Sequence, residues 1–260
     1  MSTQSVEIAW DGRRVAIEHA WVGAASARPT IVFLHEGLGS VSMWRDFPER
    51  VCAAVGCRGL VYSRPGYGRS TPRAANERWR SDFMHRQAFE LLPALLRALG
   101  LAEDGIVLLG HSDGGSIALL HAARFAVAGA VVMAPHLFVE DLSVRSIAAA
   151  RVAYETTDLR SRLARHHADP DSAFRGWNDI WLAPTFRSWN IEAELETIAC
   201  PVLAIQGVDD EYGTMAQIDA IAARVPRTRL LKLERCGHSP HRDQPDQVVA
   251  AVRDFVAALG

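Results

Sequence analysis

A chain of 260 residues, 49% hydrophobic and 22% charged, has the ordinary make-up of a soluble globular enzyme, long for one domain unless it is an α/β sheet protein carrying one insertion. Its formal charge of −2 leaves no electrostatic footprint for nucleic acid or an anionic membrane surface. Residues 1–6 lack a basic-then-apolar signal pattern and no apolar run is long enough to span a bilayer, so the expected location is the cytoplasm.

Residues 6–10 and 14–21 read as two strands turning at Asp11-Gly12, a hairpin dipeptide. Residues 30–34 form a short apolar strand running into His35-Glu36-Gly37, and Ser42 is a candidate N-cap for a helix over 43–54. A strand over 59–62 ends in the turn-rich loop Ser63-Arg64-Pro65-Gly66-Tyr67-Gly68-Arg69-Ser70. Arg64, Arg69, Arg73, Arg78, Arg80 and Arg86, interrupted by Glu77 and Asp82, read as a solvated face. Residues 79–99 have helical spacing, with a kink or break expected at Pro93.

Strands follow at 106–109, 128–134, 202–206 and 229–233, with helices near 116–125, 215–224 and 244–259; this alternation predicts right-handed crossovers and a mainly parallel sheet. Residues 136–199 interrupt it and read as helices only, over 142–166, 171–182 and a short piece at 186–191. Phe174, Trp177, Trp181, Phe186 and Trp189 crowd this insertion. It is expected to lie over the site as a lid whose indoles either pack onto the body or line a pocket. Cys52, Cys57, Cys200 and Cys236 have neither metal-type nor disulfide spacing; Cys57 and Cys200 are expected as small buried hydrophobes.

The chemistry centres on Gly110-His111-Ser112-Asp113-Gly114, a G-x-S-x-G sequence between a strand and a helix. A serine on that tight turn presents its hydroxyl above the sheet, and free N–H groups at the helix start face a developing negative charge. Such a serine needs a base, and the base an orienting acid, both from strand-end loops at the same edge. His238, beside Gly237 after the last strand, is the candidate base, with His241 its competitor. Asp209, Asp210 and Glu211, just past the strand at 202–206, are candidate acids that chemistry alone does not separate.

With these motifs together the chain resembles members of the α/β-hydrolase fold superfamily, serine esterase-like, over nearly its whole length. The resemblance implies a mostly parallel sheet of about eight strands flanked by helices. It also implies a core of residues 1–135 and 200–260 and a helical cap inserted as residues 136–199. It selects Asp210, three residues past Gly207, as the acid, and places the oxyanion-hole donors at the backbone N–H groups of Gly37 and Asp113. The function implied is hydrolysis of a small carboxylic ester through Ser112, His238 and Asp210, with no metal or organic cofactor and with a small-molecule substrate, but neither nucleic acid nor membrane, as partner. Rival readings are lactone, amide, thioester or C–C hydrolysis, or a receptor-like module that binds a small molecule with little turnover.

Two positions depart from the superfamily pattern: Glu36 stands where glycine usually follows the histidine, and Ser63 where aspartate is frequent. Glu36 and Asp113 bring carboxylates to a site meant for negative charge. At about 6 Å and an effective dielectric of about 20, one carboxylate opposes an oxyanion by roughly 3 kcal/mol. Asp113 is therefore expected either to cap its own helix or, with Glu36, to receive a cationic substrate group such as an amine. Glu36, Trp177 and Trp181 are the candidate substrate-binding side chains.

Overall fold

Strands β1 (Thr3–Trp10) and β2 (Arg13–Val22) open the computed structural model, which describes residues 1–26, 29–74 and 76–259. They pair antiparallel through a turn in which both Asp11 (φ 53°) and Gly12 (φ 70°) are left-handed, the backbone a two-residue hairpin requires. β3 (Thr30–Leu34) follows as expected, but the helix predicted over 43–54 does not form as one piece. A single 3₁₀ turn at Val41–Trp44 ends at Arg45 (φ 55°), and α1 (Phe47–Val55) starts afresh with Pro48 in its first turn. A helix through Met43 would set the Pro48 ring against the Trp44 carbonyl; at the helix start the proline costs nothing.

After β4 (Gly59–Tyr62), α2 (Phe83–Arg86) passes into a π turn over Gln87–Leu91 and then α3 (Leu92–Ala98). The widened turn just before Pro93 lets the helix run on where a kink or break is predicted. β5 (Ile106–His111), α4 (Asp113–Arg124) and β6 (Gly129–Met133) fall close to their predicted positions. The following segment carries α5 (Asp141–Thr156), α6 (Leu159–Leu163) and α7 (Pro170–Trp181). It is not wholly helical: Phe138 and Asn190 form an antiparallel bridge. The chain closes with β7 (Val202–Gly207), α8 (Ala216–Arg224), β8 (Thr228–Leu233), α9 (Pro240–Asp243) and α10 (Pro245–Ala257).

The eight strands form one sheet in the order β1-β2-β4-β3-β5-β6-β7-β8, parallel from β4 onward. Its central strands are buried along their whole length, which is why they read as apolar runs rather than alternations. Val32 and Leu34 face the layer containing α2, α3, α4 and α8, while Ile31 and Phe33 face that of α1 and α10. Cys52, Cys57 and Cys236 are buried and Cys200 half-buried. Among the described residues, no helix is long and apolar enough to cross a membrane.

The arginine run is not a uniform solvated face. Arg69, Arg78 and Arg80 are exposed and Arg73 and Arg86 half-buried, but Arg64 has no exposed surface at all. Nor does the loop after β4 lack a carboxylate for want of one at position 63. Glu18 of β2 accepts hydrogen bonds at Oε2 from Ser63 Oγ (2.7 Å) and the Arg69 N–H (2.9 Å).

Candidate active site

Ser112 follows β5 and stands at the N-cap position of α4 with φ 51° and ψ −121°, a conformation that a non-glycine residue holds only when its surroundings enforce it. Here they do. A Cβ at Gly110 would overlap the Gly114 carbonyl, and one at Gly114 the carbonyls of Leu34 and His35, so strand, turn and helix pack backbone to backbone. The Ser112 N–H donates to Met133 O (2.9 Å), tying the turn to β6.

The acid and histidine loops are drawn together in the same way. A Cβ at Gly207 would overlap the carbonyls of Cys236 and Gly237, and the Asp209 N–H donates to Cys236 O (2.9 Å). His238 Nδ1 then donates to Asp210 Oδ1 (2.9 Å) and Oδ2 (3.1 Å), and His238 Nε2 accepts from Ser112 Oγ at 2.9 Å. Of the three consecutive acids, Asp210 is the one on the imidazole; Asp209 is exposed, and Glu211 Oε2 accepts the His238 N–H (3.2 Å). Burial would raise the Asp210 carboxyl, but His238 and the Tyr212 N–H outweigh it and hold it below its ordinary value. An imidazole fixed in this tautomer can take the serine proton while the carboxylate stabilises the imidazolium. His241 instead packs against Trp44, Phe47 and His111.

The Gly37 N–H has no protein acceptor among the described residues, and the Asp113 N–H, first in its helix, has no intrahelical one. The Asp113 carboxylate neither caps its own helix nor stands free: Oδ1 accepts from Trp181 Nε1 (3.1 Å) and Oδ2 lies 3.9 Å from Arg64 Nη1. Burial raises its pKa against the pull of Arg64 and Trp181. Glu36 keeps 18% of its side chain exposed, with Oε2 3.6 Å from His111 Nδ1 and Oε1 3.9 Å from Arg242.

Above Ser112 lies a cavity of about 120 Å³, bordered by Glu36, Gly37, Asp113, His238, Trp177 and Trp181 among others. Both indoles therefore line it, whereas Phe174 stacks on Tyr154 and Phe186 packs against Trp189 and against Phe83 of α2. Sequence reasoning missed His111, His136, Tyr212 and Arg64. His111 Nε2 donates to the His238 carbonyl (2.7 Å), and the Tyr212 ring sits 4.7 Å from that of His238. Burial and the nearby His238 push His136 down to about 3, so it is a neutral wall. Arg64 and His136 stand just past the ends of β4 and β6, the same strand-end position that singles out His238.

The model of the alpha/beta hydrolase family matches residues 31–251. Among curated proteins, pimeloyl-[acyl-carrier protein] methyl ester esterases of Xanthomonas campestris pv. campestris are 39% identical over 70 residues, 27% of this chain and 28% of theirs. That of Stenotrophomonas maltophilia is 29% identical over 118 residues, 45% of this chain and 44% of its own. The chain thus spans less than half the length of these relatives. Among solved structures, VinJ superposes with a TM-score of 0.75 at 24% identity, covering 99% of both chains. A structure from a study of carboxylesterases of Nitrososphaera gargenis does so with 0.76 at 20% identity, covering 98% of both. On the family match across most of its length, the chain belongs to the alpha/beta hydrolase family.

Proposed function

We propose that the protein is a serine hydrolase of small carboxylic esters. Ser112 Oγ attacks the ester carbonyl as its proton passes to His238 Nε2, and Asp210 steadies the imidazolium. The N–H groups of Gly37 and Asp113 hold the oxyanion. Collapse breaks the ester C–O bond, and the alcohol leaves with the proton from His238. Water, deprotonated by the same imidazole, then attacks the acyl-enzyme and frees the acid and Ser112. No metal or organic cofactor enters these steps.

The observation that carries this reading is the unbroken Ser112–His238–Asp210 hydrogen-bond chain opening into a cavity. Its volume of about 120 Å³ is near that of an engineered apolar cavity that takes up benzene, which favours a short acyl group. An ester is also what the curated relatives' names specify. Residues 136–199 serve as the lid in this reading, and cysteines with neither metal-type nor disulfide spacing suit a reducing cytoplasm.

Turnover of p-nitrophenyl acetate and butyrate, stoichiometric labelling of Ser112 by a fluorophosphonate, and loss of both in Ser112→Ala are the expected results. Labelling elsewhere, or turnover that survives Ser112→Ala, would overturn the assignment. Tight binding of the ester without hydrolysis would favour the receptor-like alternative.

A further inference from the structure

The peptide linking Glu36 to Gly37 is gripped unusually firmly at its carbonyl end. The Glu36 oxygen accepts from His35 Nδ1 (2.7 Å), Arg64 Nη2 (2.8 Å) and the Gly39 N–H (3.0 Å). His35 can act only as this donor, because its Nε2 already accepts from the Arg64 N–H (3.0 Å). A trans peptide is planar, so holding its carbonyl on the buried side sends the N–H of Gly37 the opposite way, to the side where Gly37 lines the cavity. A charged donor on the carbonyl also polarises the amide and strengthens that N–H as a donor.

The same guanidinium turns its other arm toward the second proposed donor. Arg64 Nη1 lies 3.9 Å from Asp113 Oδ2, both side chains have no exposed surface, and neither atom has a hydrogen-bond partner. A buried carboxylate on the residue after the nucleophile would oppose an oxyanion; a buried cation beside it cancels that opposition.

We infer that Arg64 is the positioning residue of the oxyanion site: it fixes the Glu36–Gly37 peptide by its carbonyl and offsets the Asp113 charge, so that both backbone N–H groups can receive a developing negative charge. This rests on the serine-hydrolase reading above. Arg64 touches no substrate; it acts through Glu36, His35 and Asp113.

Kinetics of purified variants on p-nitrophenyl butyrate test it. Arg64→Met is expected to lower kcat about 100-fold, the scale of one lost oxyanion donor, with KM within about threefold. Its affinity for a trifluoromethyl ketone, which forms a tetrahedral adduct on Ser112, should fall in proportion to kcat. Arg64→Lys, which keeps the charge but reaches only one of the two arms, should lose about tenfold in kcat. Adding Asp113→Asn to Arg64→Met should restore fivefold or more, on the order of what removing an uncompensated carboxylate returns. Should Arg64→Met melt below the assay temperature, Arg64→Lys decides. Folded variants within about threefold of the wild-type kcat, or a loss confined to KM, would overturn the inference. Ser112→Ala separates the two claims: if it retains turnover the hydrolase reading fails, and if it is inactive while Arg64 variants are unimpaired only the role of Arg64 fails.

Discussion

His238 Nε2 and Ser112 Oγ meet at 2.9 Å although 126 positions separate them in the chain. The sheet, not the loops, does the joining. From Ser112 a run of backbone bonds crosses to Met133 of β6, from Ala134 to Ile205 of β7, and from Asp209 to Cys236 in the histidine loop. Each step is a strand-end contact of parallel neighbours, so the pair inherits the rigidity of the most buried part of the fold.

On the proposed mechanism the three side chains act as one unit. Ser112→Ala should lower kcat by roughly 10⁶-fold, and Asp210→Asn by about 10⁴-fold, because the amide disfavours the tautomer with Nδ1 protonated. Both variants should melt within a few degrees of the wild type. Steady-state kinetics paired with thermal melts check this, and an Asp210→Asn enzyme with near-normal kcat would remove Asp210 from the mechanism.

Gly207→Ala should be damaging at a distance from the reacting atoms. Its new Cβ would overlap two backbone carbonyls, those of Cys236 and Gly237, which cannot rotate away as a side chain could. Overpacking of that kind costs about 1–3 kcal/mol or more. The strain falls on the joint between the acid and histidine loops, so kcat should drop together with the urea midpoint. A variant with unchanged kcat would mean the loops are positioned by other contacts.

The central strands were legible because burial on both faces leaves continuous apolar runs such as 30–34 and 106–109; Ser112, His238 and the acids 209–211 were singled out as residues just past strands, and only the family resemblance separated Asp210 from its neighbours. Pro48 and Pro93 show where local reading stops. One proline restarts a helix and the other is absorbed by a π turn, and the choice depends on what the neighbouring chain can accommodate. Arg64 was misread as solvated because charge composition carries no depth. Its partners His35, Glu36 and Asp113 lie far from it in sequence, and only the parallel order of β4, β3 and β5 brings them beneath it.

His167 makes stability fall in acid. Its Nδ1 accepts from the Gly68 N–H (2.9 Å), which requires the neutral ring, while its Nε2 donates to Leu38 O (3.0 Å). Burial pushes its pKa down to about 4, whereas an unfolded chain binds the proton near 6.5. Between those values the unfolded state holds the extra proton; stability is full above pH about 6.5 and declines as pH falls toward about 4. His121, pushed by burial to about 4, and His136, to about 3, add in the same sense. His167→Gln can keep one acceptor and one donor without titrating. Its unfolding free energy should therefore lose less between pH 7 and 4.5, by on the order of 1–3 kcal/mol. Urea titrations at several pH values measure this, and parallel curves for the two proteins would refute the assignment.

Glu36 and Asp113 should differ in what they do to substrate charge. Asp113 is occupied, by the Trp181 indole on one oxygen and by Arg64 near the other. Glu36 is partly open to the cavity. Burial would raise its carboxyl, but the His111 ring against it prevails and holds it well below the ordinary carboxylate range. A cationic group on the substrate would meet Glu36 and not Asp113. Comparing the methyl esters of alanine and propanoic acid isolates that charge on one carbon skeleton. Glu36→Gln should reduce the kcat/KM ratio of the amine-bearing ester to the neutral one by about tenfold, a partly solvent-screened attraction of about 1.4 kcal/mol. Asp113→Asn should leave that ratio within about twofold, since its charge already faces a guanidinium. If the asparagine variant shifts the ratio and the glutamine variant does not, the substrate's charge is read beside the nucleophile, and Arg64 does not neutralise Asp113.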